Sequence, residues 1–96
     1  MTLRPDQRIL TSLVPSHSRV LDLGCGDGSL LRHLITTSGC LGTGVELDHS
    51  SLITAMSAGV PVLGLDLNED LGEFHDDSYD VVILSRTLQA IVSPDE

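Results

Sequence analysis

The stretch Val20-Leu21-Asp22-Leu23-Gly24-Cys25-Gly26-Asp27-Gly28 decides how this chain folds. Its first residues are apolar apart from one acid, which is typical of a parallel strand covered on both faces. Alternating glycines follow, and glycine lets the backbone approach a ligand where a Cβ atom would block it. A helical pattern starts directly afterwards, and the first N–H groups of a helix have no partners within it. We therefore predict a strand, a tight turn and a helix, the corner at which open α/β sheets bind small molecules.

The rest of the chain alternates helical and strand patterns around this corner. Helices are predicted to begin at Pro5, at Gly28, at Asp48 or Ser50, and at Arg86, and strands are predicted over residues 19–23, 41–47, 60–65 and 80–84. Glycines at positions 42 and 44 weaken the second strand, and residues 68–78 are predicted to form a loop. Alternating strands and helices indicate right-handed crossovers and a parallel sheet, with strand order 3-2-1-4. Pro61 cannot donate to a neighbouring strand, so the third strand is placed at a sheet edge.

Length and charge restrict the classes of function. The chain has 96 residues, which predicts one small domain. Its formal net charge is −9 at pH 7, so it is predicted to repel the phosphate backbone of nucleic acids and anionic membrane surfaces. No apolar run reaches the ~18 residues that a membrane span needs. Its two cysteines form no CxxC pair, which favours free thiols in a reducing cytoplasm over a disulfide.

Acidic residues stand at the carboxyl ends of the first three predicted strands, namely Asp22, Glu46 and Asp66. An acid at the end of the second strand is the usual acceptor for ribose hydroxyls. Asp66 lies one strand further out, where an adenine amino group can donate to it, and Asp22 favours a positively charged ligand group. Each acid alone is also explained as a solvated strand end. Together they predict a site for an adenosine ligand that carries positive charge and no phosphate.

Dinucleotide binding is the main rival interpretation. The GxGxxG pattern requires glycine or alanine at position 29, where this chain has Ser29. Asp22 and Asp27 flank the helix N-terminus that would receive a pyrophosphate, and negative charge there opposes binding. The four histidines have no metal-ligand spacing, and no Ser–His–Asp set or general base is evident, so no metal and no catalytic residue are predicted.

The same glycine stretch resembles the first motif of class I S-adenosylmethionine-dependent methyltransferases. Gly44-Val45-Glu46-Leu47-Asp48 resembles their ribose-binding strand end, and Leu65-Asp66-Leu67 is similar to their adenine-contacting segment. Within that superfamily, Ile83-Leu84-Ser85-Arg86-Thr87-Leu88-Gln89-Ala90 most resembles the MetW family of methionine biosynthesis proteins. At position 86 this chain has arginine where that family usually has glutamine.

The resemblance implies a Rossmann-like α/β fold and S-adenosylmethionine or S-adenosylhomocysteine as the ligand. Carried over by position, the cofactor-binding residues are Asp22, Gly24, Cys25, Gly26, Gly28, Glu46, Leu47, Asp66, Leu67 and Ser85. The glycine stretch would line the methionine part, mostly through backbone, with Ser85 near the sulfonium. Glu46 would hold the ribose, and Asp66 with the backbone of Leu67 would hold the adenine.

The resemblance also implies a cytoplasmic protein that works with a homoserine O-acyltransferase in methionine synthesis. It leaves open whether the protein is an accessory subunit or an active small-molecule methyltransferase. The likeness covers only the first half of the family's length, so residues 1–96 are expected to form the N-terminal part of such a domain. Without further strands, residues 81–84 would form an unpaired edge, which predicts self-association.

Overall fold

One mixed sheet organises the chain. The computed structural model describes residues 3–64, 79–87 and 89–92. The described helices are Pro5–Ser12 (α1), Ser29–Ser38 (α2) and His49–Ser57 (α3), and the described strands are Arg19–Leu23 (β1), Leu41–Val45 (β2), Val62–Leu63 (β3), Val81–Leu84 (β4) and Gln89–Val92 (β5). The strand order is β3-β2-β1-β4-β5, with β1 to β4 parallel and β5 antiparallel to β4. The predicted Rossmann-like α/β class and the order 3-2-1-4 are confirmed.

Strand β1 lies at the centre of the sheet because its residues are apolar on both faces. Val20 and Leu21 are buried, and β1 pairs with β2 on one side and β4 on the other. Helix α2 covers one face through Leu31 and Leu34, which are fully buried and lie three residues apart on one helical stripe. The helix ends at Gly39, whose φ of 66° is the left-handed conformation that glycine adopts without steric cost. None of the helices in the described ranges is long and apolar enough to cross a bilayer.

The edge assignment of the third strand is confirmed. Strand β3 lies at one end of the sheet, and Gly44 N–H donates to the carbonyl of Pro61 at 2.8 Å. Pro61 therefore contributes an acceptor to the sheet without needing a donor of its own.

The amino ends of β1 and β4 are joined by an exposed ion pair. The Arg19 guanidinium donates to Asp80 at 2.9 Å, and the Arg19 backbone N–H donates to the same carboxylate at 2.8 Å. These bonds hold the pKa of Asp80 well below its usual range, at about 2. The pair fixes the register of two strands that are far apart in sequence.

The prediction for residues 86–92 is wrong. The segment forms a turn and then β5, which pairs with β4 so that Val82 faces Ile91 and Ile83 faces Ala90. A short apolar run fits a strand or a helix equally well by periodicity, and pairing with the open edge of β4 decided between them. The premise of the predicted self-association is therefore also wrong, because β5 covers the fourth-strand edge.

The glycines of β2 make room for side chains from the glycine turn and from α2. A Cβ atom at Gly44 would lie 2.6 Å from Cys25 Sγ, and one at Gly42 would lie 2.4 Å from a methyl group of Leu31. These positions were expected to weaken the strand. In the folded chain they let α2 and the turn pack directly on the sheet.

Replacing Gly44 with alanine is expected to destabilise the fold by about 1–3 kcal/mol, since the new methyl group overlaps Cys25 Sγ. Urea unfolding followed by circular dichroism measures the change. Leu41→Ala, at an exposed position on the same strand, serves as the control and should change stability by under about 0.5 kcal/mol. The double variant Gly44→Ala/Cys25→Ala should recover part of the loss. Equal stability of Gly44→Ala and the unaltered chain would contradict this packing.

Candidate functional site

The turn after β1 is anchored to the end of β2 by its own backbone. Gly24 and Gly26 have φ values of 73° and 61°, which allow the chain to reverse sharply. The N–H groups of Gly24 and Cys25 both donate to the carbonyl of Val45, at 2.8 and 3.1 Å. We call residues 24–28 the glycine loop. Its position is set by β2 as much as by β1.

Glu46 is the side chain that completes this anchoring. Only 3% of the residue is exposed, and its carboxylate accepts from Gly26 N–H at 2.7 Å and from Asp48 N–H at 2.9 Å. Asp48 in turn caps α3 by accepting from Ser51 N–H at 3.0 Å. The carboxylate therefore ties the glycine loop to the start of α3, and it retains lone pairs for a further donor.

Asp22 is fully buried beside the end of β4. The Ser85 hydroxyl donates to its Oδ1 atom, whereas its Oδ2 atom has no hydrogen-bond partner. Burial raises the pKa of Asp22 to about 7 and the nearby Glu46 charge adds to the rise, although the Ser85 hydrogen bond opposes it. An orphan carboxylate oxygen in a buried position is costly, and a bound donor or cation would satisfy it.

Cys25 serves packing rather than nucleophilic chemistry. It is buried, and burial together with the Asp22 and Glu46 charges raises the pKa of its thiol to about 12. A thiol with so high a pKa carries almost no thiolate at neutral pH. Cys25 and Cys40 are both buried free thiols in the structure, in line with the expectation from the sequence.

Asp27 occupies the N-terminus of α2. Its Oδ1 atom accepts from Ser29 N–H at 3.0 Å and from the Ser29 hydroxyl at 2.6 Å. The hydrogen bonds from Ser29 lower the pKa of Asp27, so the group stays ionised. A carboxylate already fills the place where a pyrophosphate would bind, which argues against a dinucleotide.

A cavity of about 280 Å³ opens at the carboxyl ends of β1 and β4. Its wall contains residues 24–27 of the glycine loop, Ser85 and Arg86 after β4, and Arg4 and Gln7 at the start of α1. The cavity thus lies at the strand–turn–helix corner that the sequence predicts as a place for small molecules.

The structure distributes the predicted site residues unevenly. Gly24, Cys25, Gly26 and Ser85 line the cavity, while Asp22 and Glu46 are buried beside these residues. Gly28 faces α3 and the segment after it, where an added Cβ atom would lie 3.2 Å from Ala55 Cβ and 3.0 Å from the Val60 side chain. Leu47 is 65% exposed. The predictions for Asp66 and Leu67 lie outside the described residues.

Sequence reasoning missed three side chains of the cavity wall, Arg4, Gln7 and Leu30. Leu30 lies on α2, and Arg4 and Gln7 lie at the start of a helix that the sequence placed only by its first turn and its apolar face. The one sequence signal for Arg4 is that it is one of five arginines in a chain without lysine. This signal is too weak to assign a role.

Comparisons with known proteins agree on the family and on the fold. The family model for "Methionine biosynthesis protein MetW" matches residues 4–96. A relative in Rhodopirellula baltica, the bifunctional methionine biosynthesis protein MetXA/MetW, is 41% identical over 95% of this chain. The alignment covers 16% of that relative, so the chain spans a small part of its length.

Solved structures with the same fold include methyltransferases. A TehB-like SAM-dependent methyltransferase from Corynebacterium glutamicum matches with a TM-score of 0.71 and 22% identity, over 86% of this chain and 45% of that one. An RNA methyltransferase from Salinibacter ruber in complex with S-adenosyl-L-homocysteine matches with a TM-score of 0.68 and 28% identity, over 88% of this chain and 59% of that one.

The buried Asp22 predicts an unusual pH dependence of stability. Its pKa is raised from 3.8 to about 7, so the folded state holds a proton that the unfolded state has released between these values. Stability should therefore fall as the pH rises towards 7. Relative to Asp22→Asn, the free energy of unfolding of the unaltered chain should drop by roughly 2–3 kcal/mol between pH 5 and pH 8.

Chemical denaturation at several pH values measures this difference, with Asp80→Asn as the matched control. The pKa of Asp80 is lowered to about 2, so its stabilising contribution is lost only as the pH falls through that value. The difference in free energy of unfolding between Asp80→Asn and the unaltered chain should stay constant from pH 5 to pH 8. If the same difference for Asp22→Asn is also constant over this range, Asp22 does not titrate as described.

Proposed function

The chain belongs to the MetW family of methionine biosynthesis proteins, and from that premise we propose that it binds S-adenosylmethionine or S-adenosylhomocysteine at the glycine loop. We further propose that it acts with a homoserine O-acyltransferase in methionine synthesis. The ligand would lie in the cavity at the carboxyl ends of β1 and β4 and would extend to the end of β2, which Glu46 follows.

The observation that carries this proposal is the buried carboxylate of Glu46 at the end of β2. Its two backbone hydrogen bonds fix its orientation, and a carboxylate has about four acceptor sites, so acceptor capacity remains for ribose hydroxyls. A nucleoside bound here would place its sugar against the glycine loop, in contact with backbone rather than side chains.

The charges around the loop support a sulfonium or thioether nucleoside over a phosphorylated one. Asp27 holds the N-terminus of α2, and Asp22 has an unpartnered oxygen close to Ser85. Gly24, Cys25, Gly26 and Ser85 would line the methionine part of the ligand. Asp66 and Leu67 remain the residues predicted to bind the adenine. Leu47 and Gly28 are predicted to lie next to the nucleoside.

The proposed partner is supported by the relative from Rhodopirellula baltica. Its name assigns MetXA and MetW to one bifunctional protein, and it is 41% identical to this chain. Two functions joined in one polypeptide are held at high effective concentration. That the two functions occur together in this relative supports an association between the separate proteins. An accessory subunit that senses its ligand and modulates the acyltransferase fits this arrangement.

The second candidate is an active small-molecule methyltransferase, which the shared fold with solved methyltransferases favours. Methyl transfer from a sulfonium depends mainly on positioning, so the lack of a predicted catalytic base does not oppose it. Calorimetry with the ligand, with and without the acyltransferase, separates the two. Ligand binding that alters acylation without a methylated product supports the accessory role, and a methylated product supports the enzyme.

Glu46→Gln is expected to lower the affinity for S-adenosylhomocysteine about tenfold or more, on the order of 1–3 kcal/mol. Glutamine has one acceptor oxygen, whereas the Glu46 carboxylate accepts from two backbone N–H groups. The ribose and the glycine loop would therefore compete for the single oxygen of the glutamine. Isothermal titration calorimetry measures the affinity.

Asp80→Asn provides the matched control for the lost charge, because Asp80 pairs with Arg19 at the opposite end of β1. Its affinity should equal that of the unaltered chain. Thermal melting of each variant checks that folding is intact. Unchanged affinity in a folded Glu46→Gln variant would remove the ribose assignment, and no binding by the unaltered chain would remove the proposed function.

A further inference from the structure

The side chain of Arg86 lies across the glycine loop. Its Cγ and Nε atoms are both 3.3 Å from the position that a Cβ atom would take at Gly24. Its Nη2 atom is 3.9 Å from the Oε2 atom of Glu46, and the residue lines the cavity wall. A ligand that touches both the glycine loop and Glu46 must therefore approach or displace this side chain.

The contact between Arg86 and Glu46 is weak enough to open. The distance of 3.9 Å is at the outer limit of an ion pair, and the Arg86 side chain is 78% exposed. Pairs with an exposed partner contribute little to stability because water and salt screen them. Glu46 also keeps its two backbone hydrogen bonds without Arg86, so a ligand can move the arginine without releasing the loop.

The positive charge of Arg86 nevertheless lies close to the site. Its Nη2 atom is 3.9 Å from Glu46 Oε2, and the residue forms part of the cavity wall. Because the cavity measures only about 280 Å³, a charge inside it lies within the screening length of ~8–10 Å from the guanidinium.

S-adenosylmethionine and S-adenosylhomocysteine differ by one methyl group and one positive charge, both at sulfur. Resting on the proposed function, we infer that Arg86 is the residue that sets the choice between them, by lowering the preference of this acidic site for the sulfonium over the neutral thioether. The nearby acids Asp22, Asp27 and Glu46 attract a cation, and the positive charge of Arg86, which lies beside Glu46 in the cavity wall, opposes that attraction. The residue at position 86 thus determines whether the site binds the methyl donor or its demethylated product more tightly.

The test compares the affinities of both nucleosides for the unaltered chain and for Arg86→Gln, by isothermal titration calorimetry at low and high salt. Removing the charge should improve the affinity for S-adenosylmethionine relative to S-adenosylhomocysteine by roughly three- to tenfold. High salt should shrink this difference. Arg86→Lys keeps the charge while changing the shape and should retain most of the original ratio.

Arg32→Gln is the matched control for net charge, because Arg32 lies on α2 beside a separate cavity with His33 and Thr36. The ratio of its affinities for S-adenosylmethionine and S-adenosylhomocysteine should equal that of the unaltered chain. A ratio that stays unchanged in Arg86→Gln, or shifts equally in Arg32→Gln, overturns the inference while leaving the proposed function intact. If neither nucleoside binds to any variant, the proposed function fails and the inference fails with it.

Discussion

The bridge made by the Glu46 carboxylate is the constraint on which the site depends. Two backbone N–H groups, one from the glycine loop and one from the start of α3, point at a single buried acid. Without it, the hydrogen bonds that join the loop to β2 in the described part of the chain would be those to the Val45 carbonyl. Burying a carboxylate is costly unless its hydrogen bonds are satisfied, and both bonds are made close to the candidate site. The acid that the sequence assigned to a ligand is thus first a structural element.

The part of the fold that could be predicted is the part with strong local signals. The apolar run of β1, the glycine loop and the leucine stripe of α2 leave one reasonable arrangement, and Pro61 alone placed β3 at the edge. The error at residues 86–92 arose where local pattern is ambiguous and a long-range pairing decides. The strand-end pattern predicted Glu46 as a site residue and the family resemblance added Ser85, but neither pattern nor resemblance reveals that Ser85 donates to Asp22 or that Glu46 accepts from Gly26. Those contacts depend on side-chain directions at the ends of three different strands.

The site balances charges that oppose each other within a small volume. Asp22 is kept partly protonated by burial, and Asp27 is kept ionised by Ser29. The Arg86 guanidinium lies 3.9 Å from the Glu46 carboxylate, and the Arg86 side chain is largely exposed. In a chain with a net charge of −9, these few groups create a local environment that differs from the average of the molecule. Small changes at exposed positions can therefore alter what the site attracts, while the buried acids keep its shape.

The central position of β1 has a consequence for how the chain folds during its synthesis on the ribosome. This strand is hydrogen bonded on both sides, and its ion pair with Asp80 spans 61 residues of sequence. Its neighbour β2 follows closely in the chain, so a β1–α2–β2 unit has all its parts early in synthesis. The other side of β1 must wait for β4, which begins well after β2 ends in the chain. The nascent chain therefore exposes an apolar strand edge until β4 has been synthesised, a period in which a chaperone or an early partner would protect it.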